Sequence, residues 1–299
     1  MIAAALDLGS NTLRLLVAEV GGGDYRDLER GLATPRLGRG LKPGRPLDPA
    51  ARRAALEQAR QFVERARSLG AGRIALGATQ ACRLASDGAE FVHELSRELS
   101  LDTALVLDGE REAELSRAGI LSRLKGSYEQ AVLADIGGGS TEVASLDGDW
   151  ALSLPLGAVS LTEAHLNADP PGATQMKAMA QAVEQALEAL TKVKAKRLVA
   201  TAGTAATVGA MLLGMTTYEA GRVNNLRVSR KELQGQLSRL AALPLAERKL
   251  QPGLEPERAD IILAGLAILH GLLLVLHLEQ MTVMDAGLLE GILLRLAAA

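Results

Sequence analysis

The stretch DIGGGSTE, from Asp135 to Glu142, combines carboxylates and hydroxyls with three consecutive glycines. Consecutive glycines cost backbone entropy and contribute no packing, which favours a backbone that a ligand approaches closely. Their N–H groups can form an anion-binding concavity, to which the hydroxyls of Ser140 and Thr141 add donors. A tight hairpin with solvated carboxylates is the open alternative from this stretch alone.

If the anion is phosphate, the flanking carboxylates need a cation. Asp135 and Glu142 would repel a bare phosphate, whereas a divalent cation between them and the phosphate removes the conflict. A P-loop is excluded because the chain contains no Gly-Lys dipeptide. A dinucleotide fingerprint opens a helix, whereas GGGSTEVASL is predicted to continue as a strand.

Two further turns resemble the first one in composition. DLGSNT begins at Asp7, and TAGT begins at Thr201. Each follows an apolar, strand-like run, and turns of this type can converge on one cleft. Their presence favours the phosphate site over an isolated hairpin.

The elements around these turns indicate a duplication. Strand, turn and strand are predicted around both Asp7 and Asp135. Each pair is followed by another apolar strand that leads through Gly or Thr into a helical pattern, RIALGATQACRLA and RLVATAGTAATVGAML. Apolar residues at helical spacing predict helices over residues 49–70, ending at Gly70, and 172–193. We therefore expect an α/β chain of two related lobes, residues 1–118 and 119–286, with a closing helix over 287–299 that returns to the first lobe.

Composition narrows the function classes. The chain of 299 residues is 48% hydrophobic and 23% charged, as globular proteins are. A net charge of −2 and an aromatic content of 2% argue against nucleic-acid or membrane partners. The single cysteine, Cys82, excludes an internal disulfide and a Cys-rich metal site. The N-terminus lacks the basic region of a signal peptide, so we expect a cytoplasmic protein.

One apolar segment, residues 261–278, approaches the length of a membrane span. It contains His270 and His277, and it is followed by more globular-looking sequence, so a buried helix is the favoured interpretation. On a continuous helix the two histidines would lie on one face, about 10.5 Å apart in rise, too far to share a metal ion.

The motifs together resemble the exopolyphosphatase/guanosine pentaphosphate phosphatase family, within the superfamily of actin, sugar kinases and heat-shock chaperones. The glycine turns indicate only the superfamily. The segment EREAEL, shortly before DIGGGSTE, singles out the family. The resemblance runs along the whole chain, through AALDLGSNTLRLLVAEV, GATQACRLASDGAEF, LDGEREAEL, VLADIGGGSTEV, ATAGTAATV, PGLEPERADIILAGLAIL and MDAGLLEGIL.

This resemblance implies an α/β fold of two ribonuclease H-like (actin-like ATPase) lobes around a central phosphate-binding cleft. It implies an Mg²⁺- or Mn²⁺-dependent hydrolase that releases terminal phosphate from inorganic polyphosphate or the 5′ γ-phosphate from guanosine pentaphosphate. We expect a cytoplasmic homodimer without nucleic-acid or membrane partners. Longer family members carry a C-terminal extension with a His-Asp metal motif. This chain contains no His-Asp dipeptide, and in that respect it resembles the short, two-lobe form.

The resemblance also implies roles for individual residues. Glu112 matches the catalytic glutamate, although from sequence alone Glu110, Glu112 and Glu114 are typical first-turn acids of a helix. The metal ligands implied are Asp7, Asp135 and Glu142. The phosphate-binding residues implied are Ser10, Asn11, Arg83, Gly137, Gly138, Gly139, Ser140, Thr141, Gly203 and Thr204.

Three positions depart from the family pattern. Glu114 stands where many members have a basic residue, Ala202 replaces a glycine of the third turn, and Leu289 replaces a frequent arginine. These departures bear on substrate preference more than on chemistry.

A basic loop bears on the substrate as well. TPRLGRGLKPGRP carries Arg36, Arg39, Lys42 and Arg45 without an acid. It is either a solvated surface or a track for a chain of phosphates, whose binding would weaken with salt. A second run, TKVKAKR from Thr191, is the weaker candidate.

Two rival functions remain open at this point. One is a kinase or ATPase of the same fold, which transfers phosphate to an acceptor other than water. The other is a nucleotide-sensing scaffold like the filament-forming actin relatives, in which hydrolysis only times assembly.

Overall fold

The computed structural model describes residues 1–22 and 24–298, which divide into two compact units. The first unit joins Met1–Ser122 to the chain from Ala286 onward, and the second is Arg123–Asp285. The boundary predicted at residue 118 falls inside the helix Gly109–Arg123.

The first unit is built on a five-stranded sheet of order β3-β2-β1-β4-β5. β1 pairs antiparallel with β2 and parallel with β4, and β4 pairs parallel with β5. Its elements are β1 (Ile2–Leu8), β2 (Leu13–Gly21), β3 (Asp24–Ala33), α1 (Pro49–Ser68), β4 (Arg73–Ala78), α2 (Gln80–Leu84), α3 (Gly88–Leu99), β5 (Thr103–Val106), α4 (Gly109–Arg123) and α12 (Leu288–Ala298).

The helix predicted to end at Gly70 is confirmed, and its ends show why. Asp48 accepts hydrogen bonds from the N–H groups of Ala50 and Ala51, both at 2.9 Å, and Pro49 occupies the first position. A proline loses no hydrogen bond there. Gly70 adopts a φ of +87°, which ends the helix in a conformation that glycine adopts without strain.

The last helix, α12, packs on β1, β2 and β4 of the first sheet. It also crosses α4 backbone to backbone, because a Cβ at Gly119 would overlap the carbonyl oxygen of Gly287 and one at Gly291 would overlap that of Leu115. This close approach fixes the position of α4, the helix that carries Glu112.

Leu289 and its neighbour explain one departure from the family pattern. Leu289 is 4% exposed within the apolar layer beneath the first sheet. Next to it, Glu290 is 1% exposed and accepts hydrogen bonds from Arg30 at 2.7 Å and from the N–H of Gly287 at 2.6 Å. Position 289 is therefore a packing position in this chain.

The second unit is built on a six-stranded sheet of order β10-β11-β9-β6-β7-β8. Its elements are β6 (Ala131–Ile136), β7 (Thr141–Ser145), β8 (Ala151–Leu154), α5 (Ala158–His165), α6 (Ala173–Leu187), β9 (Arg197–Thr201), α7 (Ala202–Leu212), α8 (Ala220–Val223), β10 (Leu226–Ser229), α9 (Arg230–Ala241), α10 (Leu245–Arg248), α11 (Ile262–Val275) and β11 (Gln280–Val283).

The predicted duplication and α/β fold class are confirmed. In both units an antiparallel hairpin, β1–β2 or β6–β7, is extended by a third antiparallel strand, β3 or β8. On the other side, the first hairpin strand pairs parallel with β4 or β9, and a further parallel strand, β5 or β11, follows. The two sheets thus share one strand order and one set of strand directions, with β10 added to the second.

The long apolar segment forms the buried helix α11. It packs against α5, α6, α7 and α9 in the core of the second unit. Within the described residues, no helix has the length and apolarity that crossing a membrane requires. The helix ends at Val275, and His277 lies beyond it with a φ of +55°, so the expectation that His270 and His277 share one helical face is wrong.

Candidate active site

The turn between β1 and β2, residues 9–12, is held by one backbone hydrogen bond. The N–H of Gly9 donates to the carbonyl oxygen of Thr12 at 2.9 Å. The N–H groups of Ser10 and Asn11 donate to no acceptor in the part of the chain that the structure describes. Two adjacent amides are therefore available to an anion, beside the side chain of Asp7 near the end of β1.

The turn between β6 and β7, residues 137–140, has the same construction. The N–H of Gly137 donates to the carbonyl oxygen of Ser140 at 2.9 Å. The amides of Gly138, Gly139 and Ser140 have no acceptor among residues 1–22 and 24–298. Three successive N–H groups are therefore available to an anion, and their role as an anion-binding concavity stays a prediction.

The carbonyl side of this turn is packed against α5. The carbonyl oxygens of Gly137 and Gly138 accept hydrogen bonds from the N–H groups of Ala158 and Val159, at 3.0 and 2.8 Å. A Cβ at Gly157 would overlap the carbonyl of Gly138. The helix thus fixes the turn from one side and leaves its amides on the other.

Gly139 is a glycine that the turn itself does not require. Its φ is not in the left-handed region, and a Cβ added there would meet nothing within 4 Å. Neither backbone conformation nor packing therefore requires glycine at this exposed position. A ligand that approaches the backbone would require it.

The two hydroxyls of DIGGGSTE are engaged within the protein. Thr141 has no exposed surface, and its hydroxyl donates to the carbonyl oxygen of Leu156. The Ser140 hydroxyl donates to Glu142 at 2.7 Å, and Ser153 donates to the same carboxylate oxygen at 3.0 Å. The Thr141 hydroxyl therefore has a structural role in this conformation, and the backbone amides are the groups left to donate hydrogen bonds to an anion.

A row of polar side chains crosses four strands of the second sheet at one register. Asp135 is paired with Thr201 on one side and with Glu142 on the other, and Glu142 is paired with Ser153. Paired residues on adjacent strands project from the same face, with Cβ atoms about 5 Å apart. Asp135 and Glu142 are thus neighbours next to the free amides of the turn.

The donor set fits a hard divalent cation such as Mg²⁺. Within the described residues, no three His, Cys, Asp or Glu side chains lie close enough to hold a metal ion together. Mg²⁺ is commonly bound through one or two carboxylates, with water and substrate phosphate completing its shell. The Asp135–Glu142 pair supplies oxygen ligands of that kind.

Asp7 is a carboxylate in surroundings that disfavour its charge. Burial raises its pKa to about 6; Arg14 lowers the pKa, and the charges of Glu112 and Glu290 raise it. Positive charge brought near Asp7 would offset this cost. Its role as a metal ligand remains a prediction.

Glu112 lies in the first turn of α4, which begins after Asp108. The side chain of Asp108 accepts from the N–H of Arg111 at 2.7 Å, and its carbonyl oxygen accepts from the N–H of Glu112. Arg83 donates through Nη1 to the Glu112 carboxylate and to the carbonyl oxygen of Leu107. The structure therefore brings the predicted catalytic glutamate and the predicted phosphate-facing arginine together.

The residues called a third turn are the start of α7. Ala202 begins the helix with a φ of +64°, and Gly203 and Thr204 follow in its first turn. Thr204 is 6% exposed, with its side chain against Gly265. A phosphate-binding role for Gly203 and Thr204 thus stays a prediction that concerns backbone amides.

Arg258 is a residue that the sequence interpretation missed. A Cβ at Gly203 would overlap the guanidinium of Arg258, which Glu255 holds through a hydrogen bond of 2.6 Å. A cation over the first turn of a helix adds to the attraction of an anion to that helix end. The stretch PGLEPERAD contains this arginine, but nothing local in it indicates contact with Gly203.

The comparisons with known proteins concern the family of the chain. The model of the Ppx/GppA phosphatase family matches residues 16–299. Exopolyphosphatase 2 of Mycobacterium tuberculosis is 31% identical over 312 residues and matches across 98% of both chains. The guanosine-5′-triphosphate,3′-diphosphate pyrophosphatase of Aeromonas salmonicida is 29% identical, and the match covers 97% of this chain and 58% of that protein.

Solved structures extend the agreement to the fold. A crystal structure of the Aquifex aeolicus Ppx/GppA phosphatase, the type II variant, has a TM-score of 0.86 and 26% identity, with 99% of each chain covered. The resemblance found in the motifs is therefore confirmed, and the chain belongs to the Ppx/GppA phosphatase family.

Proposed function

We propose that the protein is an Mg²⁺-dependent (or Mn²⁺-dependent) phosphoanhydride hydrolase. It would release terminal phosphate from inorganic polyphosphate, or the 5′ γ-phosphate from guanosine pentaphosphate. The observation that carries the proposal is the turn 137–140, whose three free amides adjoin the Asp135–Glu142 pair. The named activities of the mycobacterial and Aeromonas relatives support this substrate class.

Phosphoryl transfer asks a protein mainly for positioning and for stabilisation of charge. The amides of the turn 137–140 would bind oxygens of the terminal phosphoryl group. Asp135 and Glu142 would hold the divalent cation, which when bound neutralises charge on the phosphate oxygens. Arg83 adds a cation in the first unit.

Glu112 would act as the general base. The oxygen of a water molecule forms a bond to the terminal phosphorus while the bond to the bridging oxygen breaks. One proton of the water passes to the Glu112 carboxylate, and the products are inorganic phosphate and a substrate shorter by one phosphate. Arg83 contacts Oε2 of Glu112 and thereby orients the carboxylate, whereas Oε1 has no donor among the described residues.

Localisation and assembly belong to the same proposal. We place the enzyme in the cytoplasm as a homodimer without nucleic-acid or membrane partners. The single, buried cysteine supports a reducing compartment. The net charge of −2 supports the absence of nucleic-acid and membrane partners.

The decisive experiment measures phosphate release from long-chain polyphosphate, guanosine pentaphosphate and ATP, side by side with Mg²⁺. We expect release from at least one of the first two substrates, with ATP much poorer. The variant Glu112→Gln, prepared in the same way, controls for contaminating phosphatases. Release from ATP alone would favour the ATPase rival, and nucleotide-dependent sedimentation without release would favour the scaffold.

A further inference from the structure

The basic loop after β3, residues 34–47, is fastened to the first phosphate turn. The N–H of Gly38 donates to the carbonyl oxygen of Ser10 at 2.7 Å, and the N–H of Arg36 donates to that of Asn11 at 3.1 Å. A Cβ at Gly38 would overlap the side chain of Ser10. We call residues 34–47 the cationic strap.

The other end of the strap is fastened next to Arg83. The N–H of Gly44 donates to the carbonyl oxygen of Leu84 at 2.8 Å, and the carbonyl oxygen of Arg45 accepts from the N–H of Ser86 at 3.1 Å. One leucine at each end, Leu37 and Leu47, is buried in the core of the first unit, at 1% and 2% exposure. The strap is therefore an anchored element that spans from the turn 9–12 to the neighbourhood of Arg83.

The duplication gives the strap a counterpart. In the second unit, the segment after β8 is α5, which donates N–H groups to the carbonyl oxygens of the turn 137–140. In the first unit, the segment after the equivalent strand, β3, donates N–H groups to the carbonyl oxygens of the turn 9–12. The same topological position thus supports a phosphate turn in both units, but in the first unit it carries four cations in place of a helix.

These cations have no partner within the protein. Their side chains are exposed and make no ion pair or side-chain hydrogen bond in the described residues; they are Arg36, Arg39, Lys42 and Arg45. Other arginines of the first unit do form ion pairs, for example Arg52, Arg65 and Arg83. The strap has no acid of its own, so it is a concentrated and unneutralised positive surface.

The conformation of Arg36 supports a role beyond solubility. Its φ is +55°, a left-handed conformation that is uncommon for a residue other than glycine, asparagine or aspartate. Its N–H is the one that binds the Asn11 carbonyl. A strained backbone conformation costs free energy, and such conformations are concentrated at functional sites. The strain at Arg36 accompanies a cation that lies beside the phosphate turn.

We propose that the cationic strap binds phosphate groups of the substrate beyond the one that is removed, and so selects long polyphosphate chains over short ones. The inference rests on the proposed function. A terminal phosphate at the catalytic groups leaves the rest of the substrate as a flexible polyanion. The four unpaired cations lie along a strap that runs from the turn 9–12 to the neighbourhood of Arg83. Tripolyphosphate has too few phosphates to reach all four.

The test compares two variants that lose the same charge. The strap variant combines Arg36→Asn, Arg39→Gln, Lys42→Gln and Arg45→Gln, with asparagine chosen because it tolerates the left-handed region. The control variant replaces four exposed, unpaired lysines of the second unit, all outside the basic run that starts at Thr191, with glutamine: Lys125, Lys177, Lys231 and Lys249. Thermal unfolding checks that both variants fold, and single substitutions replace the combined one if the strap variant does not.

In the strap variant, KM for long-chain polyphosphate should rise on the order of tenfold to a hundredfold, as expected for four exposed charge pairs. KM for tripolyphosphate should rise several-fold less than that for the long chain, because three phosphates reach only part of the strap, and kcat should change little. The salt dependence of log KM should become shallower by about 0.7 for each phosphate that the strap variant no longer binds, by analogy with single-stranded nucleic acids. The control variant should behave as the wild type does.

A binding measurement separates this proposal from the enzymatic one. Fluorescence anisotropy of labelled long-chain polyphosphate in EDTA reports affinity without turnover, and the strap variant should bind more weakly than the control. If no substrate releases phosphate, the proposed function fails while the anisotropy still decides the role of the strap. Equal affinities and equal chain-length dependence in the two variants would overturn the proposal.

Discussion

Arg83 and Glu112 form an ion pair in which Nη1 of the arginine donates to one carboxylate oxygen of the glutamate. Both side chains are partly exposed, at 31% and 32%. The same Nη1 donates to the carbonyl oxygen of Leu107, just before α4. Arg83 therefore acts as a fixed support that sets the orientation of Glu112 relative to the start of its helix.

Glu112→Gln should reduce kcat by about 10²–10⁴-fold, the usual contribution of a general base, with little change in substrate affinity. Glutamine keeps the size of the side chain but cannot accept the proton of the attacking water. Glu110→Gln and Glu114→Gln are matched controls, because Glu110 is an exposed first-turn acid and Glu114 is paired with Arg111. Steady-state kinetics of the three variants decide the point, and three equally small losses would reduce Glu112 to an ordinary helix acid.

Asp135→Asn should raise the Mg²⁺ concentration needed for half-maximal turnover and lower the maximum rate sharply. The amide keeps the shape of the side chain but removes the negative charge that a hard cation prefers. Asp149→Asn, at an exposed turn position of the same unit, is the control. As a readout independent of turnover, Mg²⁺ with tripolyphosphate should stabilise the wild type against heat more than it stabilises Asp135→Asn. An unchanged Mg²⁺ dependence would exclude Asp135 as a ligand.

The glycine turns, the hairpins around them and the duplicated order of strands could be predicted because each has a local sequence signal. The hydrogen-bond partners of the hydroxyl groups beside the glycines could not be predicted. Ser140 and Thr141 look alike beside the glycines, yet Thr141 is buried and donates to Leu156, a partner fifteen residues away. Side-chain partners of this kind depend on how β7 meets the segment after β8, which no short motif encodes.

The contact between Gly203 and Arg258 shows the same limit over a longer distance. Position 203 requires glycine because a Cβ there would overlap the guanidinium of Arg258. The two residues are far apart in sequence and come into contact only through the packing of the second unit. The attachment of the cationic strap to the turn 9–12 could not be predicted from the sequence either, because the sequence indicated only that the strap is positively charged. The motifs predicted the ligand class, and the tertiary contacts show which polar groups the protein does not already engage.

Cys82 should make stability depend on pH in the alkaline range. Burial, with a smaller effect from Asp87, raises the pKa of its thiol from 9.0 to about 12. Between these values the unfolded chain loses the thiol proton and the folded chain retains it. The free energy of unfolding should therefore fall as pH rises above 9, by about 1.4 kcal/mol per pH unit from this group.

Urea unfolding with a reductant at pH 8 and pH 10 measures the effect. Cys82→Ala removes the thiol, and titration of other groups is common to both proteins. The loss of stability between the two pH values should be about 1.4 kcal/mol larger in the wild type than in Cys82→Ala. Equal losses would show that the thiol ionises as easily in the folded protein as in the unfolded one.

Ala202→Gly should stabilise the second unit. Ala202 begins α7 with a φ of +64°, and that conformation costs an L-residue with a Cβ roughly 1–2 kcal/mol. Glycine adopts it without strain but adds about 0.5–1 kcal/mol of entropy to the unfolded chain. The expected net gain is about 0.5–1 kcal/mol in the free energy of urea unfolding. Ala180→Gly, at an exposed interior position of α6, is the matched control and should cost about 1 kcal/mol. If both glycines destabilised the protein equally, residue 202 would not be strained, and its departure from the family glycine would carry no conformational cost.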